Sequence, residues 1–109
     1  SRGWKLLHGA MPAYDAQLVK AVKREDLVSV NHRTAGFLET YFDFLFALNE
    51  TTHPGEKRLL QLSRERCPLL PEHFEENLER LFQDLYHTPE RVAVDIQSIV
   101  LELEKVYQP

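Results

Sequence analysis

The chain has 109 residues, 43% of them hydrophobic and 28% charged, and a formal net charge of −4. That length suits one hydrophobic core, and that balance excludes a disordered chain. The negative charge argues against a general grip on nucleic acid, which needs a basic face, and the lack of a long uninterrupted apolar run argues against a membrane-spanning helix.

Proline and glycine cut the chain into helical blocks, and no stretch alternates apolar with polar residues as a half-buried strand must. The expectation is an all-α fold, an antiparallel bundle of about five helices with no sheet. Residues 1–11 read as an extension or linker from an upstream domain, since the chain opens on Ser1 rather than an initiator Met, and residues 12–109 read as the bundle. The opening Ser1-Arg2-Gly3-Trp4-Lys5 does not resemble a signal peptide, and the single cysteine, Cys67, cannot form an internal disulfide. A reducing, cytoplasmic setting is therefore expected.

The first block, residues 12–24, carries Tyr14, Leu18, Ala21 and Val22 at helical spacing. Asp26 is placed to cap the start of the second block, which runs from Leu27 to Asn49. There Val30, Phe37, Tyr41, Phe44 and Leu48 form one apolar stripe and Leu38, Phe42, Leu45 and Phe46 another, leaving a polar line through His32, Glu39 and Asp43. A helix this apolar is expected at the centre of the bundle. Pro54 reads as the first-turn proline of a third helix over residues 54–66, with Leu59, Leu60 and Leu62 inward. Pro71 reads as the start of a fourth, with Phe74, Leu78, Leu81, Phe82 and Leu85 in helical register. Thr88-Pro89 repeats the cap-plus-proline pattern and opens a fifth, with Val92, Ile96, Ile99, Leu103 and Val106 on one face.

Three sets of residues can carry chemistry. Glu39 and Asp43 are four apart, so both carboxylates share a face of the central helix; they suit an acid–base pair, or simply a solvated stripe. The segment His53-Pro54-Gly55-Glu56-Lys57-Arg58 joins a helix start, whose free N–H groups and dipole favour anions, to two cationic side chains, which suits a phosphate contact or a solvated surface. Arg80 and His87 are seven apart, a spacing compatible with a helical ribonuclease. No metal site is expected, because His8, His32, His53, His73, His87 and Cys67 repeat no close ligand motif.

The stretch Arg24-Glu25-Asp26-Leu27-Val28-Ser29-Val30-Asn31, continuing through Tyr41-Phe42-Asp43 and Phe46-Ala47-Leu48-Asn49 to Pro54-Gly55-Glu56-Lys57-Arg58, carries a resemblance. It resembles the helical C-terminal domain of nucleotidyltransferases of the DNA polymerase β superfamily, in uncharacterised bacterial members akin to the antibiotic nucleotidyltransferases. The match is clearest over the first three helices and looser through the fourth and fifth.

The resemblance implies transfer of a nucleoside monophosphate from a nucleoside triphosphate to a small-molecule acceptor, with Mg²⁺ held by aspartates of an N-terminal catalytic domain. No Gly-Ser pair followed by Asp-x-Asp occurs in this chain, so those metal ligands map onto none of its residues. What the resemblance leaves to this chain is a wall of the cleft, with Lys57, Arg58 and His53 toward the triphosphate and Glu39, Tyr41 and Asp43 toward the acceptor. Two other readings stand beside it: a protein-interaction bundle without a ligand, and the ribonuclease using Arg80 and His87. Because the central helix is apolar on nearly all sides, the isolated chain is also expected to self-associate.

Overall fold

Asp26 starts the first described helix as its position suggests. Its Oδ1 accepts from the Ser29 N–H at 3.1 Å and its Oδ2 from the Ser29 hydroxyl at 2.7 Å, satisfying a donor that the helix start leaves free. The computed structural model describes residues 26–52, 55 and 58–107. The expected helix over residues 12–24, and Trp4, His53, Pro54 and Lys57, lie outside the described residues. Among those described there are four α-helices and no strand: α1 (Leu27–Leu48), α2 (Leu59–Arg66), α3 (Phe74–His87) and α4 (Val92–Val106), with a 3-10 turn at Pro89–Arg91 before α4.

The apolar stripes of α1 bury as expected. Val30, Phe37, Tyr41, Phe42, Phe44, Leu45 and Phe46 are all inside, and the core continues through Leu78 and Leu81 of α3 and Val92, Ile96, Ile99 and Leu103 of α4. Each such side chain contributes roughly 1.5–3 kcal/mol relative to exposure, so this apolar interior is the main force holding the helices together. Aromatic rings lock the middle of it: Tyr41 lies edge-on to Phe42 at 5.1 Å between centroids and stacks on Phe74 at 6.5 Å. Tyr107, just past α4, packs against Phe44 at 5.6 Å. Two buried hydroxyls stay satisfied by turning back along their own helices, Thr34 onto the Val30 carbonyl and Ser63 onto that of Leu59.

The helix starts depart from the proline-based expectation in three places. α2 begins at Leu59 rather than residue 54, because Gly55 and Arg58 both adopt left-handed backbone, with φ of 93° and 55°. Such residues cannot continue a right-handed helix. α3 begins at Phe74 rather than Pro71, since His73 is left-handed at φ 59°. At the last start Pro89 opens a 3-10 turn, and the Thr88 side chain makes no capping bond. Proline favours a helix start but does not compel one when a left-handed residue follows it.

The end of α1 is tied to the loop after α2 by Asn49. Its Nδ2 donates to the Leu45 carbonyl at 2.9 Å and the Leu69 carbonyl at 3.0 Å, while its Oδ1 accepts from the Leu69 N–H at 2.7 Å. The side-chain amide thus stands in for a strand partner of residue 69. It holds the chain where Glu50, at φ 54°, turns out of the helix. Arg64 of α2 pairs with Glu75 of α3, closing the same side.

Candidate functional site

The polar line of α1 borders an open groove of about 1300 Å³. His32, Arg33, Glu39 and Asp43 line one wall from α1, and Arg58, just before α2, with Gln61 and Arg64 of α2 the other. The floor is apolar, made by Leu38, Phe42, Leu59, Leu60 and, from α3, Phe82. Residues 32, 35, 36, 39, 42 and 43 follow the three- and four-residue spacing of a single helix face, so one turn after another of α1 presents a residue to the groove. Gly36 sits in this run and keeps the wall low beside Leu38 and Glu39.

Three of the residues expected to bind ligand line the same groove: Glu39 and Asp43 from the acceptor set and Arg58 from the phosphate set. Their sequence separation of 15 to 19 positions is bridged by the turn at the end of α1 that Asn49 holds. The groove carries both signs of charge. Arg64 is engaged with Glu75, whereas Arg33 and Arg58 make no ion pair among the described residues. Arg33 is also half-buried, a setting in which a guanidinium without a partner is costly and attracts an anion.

Tyr41 does not join them. It is 1% exposed, with its ring among Phe37, Phe42 and Phe74, and burial together with the neighbouring Cys67 pushes its phenol well above the ordinary range. Two residues on from Glu39 it lies about 200° around the helix, on the face opposite the groove. As an acceptor-side residue it is corrected: Tyr41 serves the core. His53 and Lys57 lie outside the described residues.

Arg80 and His87 lie exposed on α3 and do not line the groove. The Arg80 guanidinium donates to Asn77 at 3.3 Å and its charge bears on Asp95 of α4. Among the described residues no group of three or more His, Cys, Asp or Glu side chains is placed to hold a metal ion, and no helix is long and apolar enough to cross a membrane. From Val30 to Leu48 no large apolar side chain of α1 is exposed; Leu27 and Val28 at its start are.

Arg33 and Phe82 are groove residues that sequence reasoning does not single out as ligand contacts. For Arg33 a signal was present, since it adjoins His32 on the polar line of α1. Phe82 follows the apolar register of α3 and reads from sequence as core, yet it is 39% exposed at the groove. No family model matches this chain, and no curated protein or solved structure matches it either.

Proposed function

We propose that this chain is an accessory, substrate-side helical domain of a nucleotidyltransferase-like protein, inactive alone, whose α1–α2 groove forms one wall of the active-site cleft. The observation that supports this most is that Arg58, Glu39 and Asp43 line one groove, beside Arg33, which makes no ion pair among the described residues. In this reading Arg58 contacts the triphosphate of a bound nucleotide, with Lys57 as the second cation of the same segment. Glu39 and Asp43 face a small-molecule acceptor that carries hydroxyl or amino groups. Both take a hydrogen bond from such groups well, and a carboxylate next to an attacking hydroxyl can receive its proton.

The transfer itself is the work of a catalytic domain whose aspartates hold Mg²⁺, because this chain has no Gly-Ser followed by Asp-x-Asp. The apolar floor of Leu38, Phe42 and Phe82 excludes water from part of the cleft and strengthens the charged contacts along its walls.

The test is nucleoside-triphosphate binding by the protein that contains this chain together with its catalytic domain. Arg58→Ala is expected to weaken binding by ~10- to 100-fold, the range of a charge-assisted contact, with the helical content unchanged. Binding unaffected by Arg58→Ala removes the groove from the active site.

A further inference from the structure

A different pair of acids lies on the other side of α3. Asp84, near the end of α3, and Asp95, in the first turn of α4, approach each other across the 3-10 turn that joins the two helices. Asp95 is 4% exposed, and the side chain of Asp84 is 14% exposed. Among the described residues Oδ2 of each is buried and takes no hydrogen bond. Two ionised carboxylates placed so would repel each other and leave the buried Asp95 oxygen a charge with no donor to offset it. One proton held between them removes both faults at once, since the protonated oxygen becomes the donor that the other lacks.

The surrounding charges agree with one retained proton. Arg91 of the 3-10 turn brings its Nε to 3.7 Å from Asp84 Oδ2, and the charges of Arg91 and Arg80 both bear on Asp95. None of the charges that bear on Asp95 comes from α1 or α2. Two carboxyls with one proton carry one negative charge, which Arg91 offsets; a second negative charge would be left to Arg80.

We propose that Asp84 and Asp95 form a proton-linked latch between α3 and α4, closed while the pair holds one proton and loosened when both carboxyls ionise. Burial, the hydrogen bond with Asp84 and the charge of Asp84, in that order, push the Asp95 carboxyl up to about 7 from its ordinary 3.8, against the opposing pull of Arg91 and Arg80. The native chain therefore keeps a proton that the unfolded chain gives up near pH 4. Raising the pH from there to about 7 favours unfolding, and the effect levels off above 7, where the native chain releases the proton too. The latch does not depend on what the groove binds.

The chain has only five aspartates, so ¹³C-carboxyl NMR of aspartate-labelled protein resolves the titration directly. One carboxyl is expected to titrate near neutrality and to vanish in Asp95→Asn, whose amide donates to Asp84 in place of the shared proton. Between pH 5.5 and 8 the unfolding equilibrium constant of the parent should rise roughly tenfold or more, and that of Asp95→Asn far less. At pH 8 the amides of α3 and α4 should exchange faster in the parent than in Asp95→Asn, and at pH 5.5 equally fast. Asp84→Asn provides the same comparisons should Asp95→Asn fail to fold. Five aspartates all titrating below about pH 5, or a variant with the same pH response as the parent, overturns the proposal.

Discussion

Replacing Asn49 by alanine removes a side chain that ties the end of α1 to the loop after α2. Three hydrogen bonds disappear, but they do not weigh equally. The Leu45 carbonyl also accepts the Asn49 backbone N–H at 3.2 Å, so losing the side-chain bond to it costs little. The two bonds to Leu69 span 20 residues, and nothing else is shown to make them. Leu69 is half exposed, so water reaches its freed N–H and carbonyl and the full penalty of a buried orphan does not apply. At ~0.5–1 kcal/mol for each of two bonds, Asn49→Ala should destabilise the chain by about 1–2 kcal/mol. For a domain of this size that is a fall in Tm of roughly 5–15 °C. Urea denaturation followed by far-UV circular dichroism should show a lower midpoint with an unchanged slope. Asn49→Asp sharpens the test: it keeps the acceptor for the Leu69 N–H but faces a carboxylate toward the Leu69 carbonyl, so it should cost more than alanine at pH 7 and recover in acid. A change under ~0.3 kcal/mol for Asn49→Ala, with Asn49→Asp equally silent, would refute the clasp.

Asp26→Ala removes the cap of α1 and should cost ~1 kcal/mol in the same denaturation assay, with Asp26→Ser recovering most of it; equal stability of parent and alanine variant would contradict the capping role. Cys67 is 2% exposed and burial pushes its thiol up, so both access and thiolate content are low. Ellman's reagent should therefore label the native protein only as fast as it unfolds, and rapid labelling of folded protein would show that the α2–α3 turn is open.

Much of the fold could be read from residue order because periodicity and capping are local. The α1 limits follow from Asp26 at one end and Asn49 at the other, and the polar line His32, Glu39, Asp43 lies on the surface where the helical wheel places it. In α3 and α4 the register that marks Phe74, Leu78, Leu81, Val92, Ile96, Ile99 and Leu103 as inward is the register that buries them. The wheel also put Tyr41 with the apolar stripe, and its burial follows that stripe rather than the place beside Glu39 and Asp43 that the resemblance offered it.

What was not legible depends on neighbours distant in sequence or on single backbone angles. The left-handed Arg58 and His73 delay α2 and α3 past their prolines, and neither is the glycine that most readily marks positive φ. Asp84 and Asp95 look like ordinary surface acids on amphipathic helices; only the packing of α3 on α4 shows that one oxygen of each is buried without a hydrogen bond. Glu39 and Asp43 were recognisable as a pair by spacing alone, but their place on one groove with Arg33 and Arg58 required the path of the chain from α1 to α2.

The central claim is that the α1–α2 groove is part of a nucleotide-binding cleft, and a pair of arginines on α2 and its start tests it most directly. Arg58 lines the groove, whereas Arg66, exposed in the last turn of α2, does not. Nucleoside-triphosphate titrations of the protein containing the catalytic domain should show Arg58→Ala weakened ~10- to 100-fold and Arg66→Ala close to the parent, as a contact at one site and not a general loss of positive charge requires. Equal affinity for Arg58→Ala and the parent, or equal weakening by both substitutions, would contradict the account.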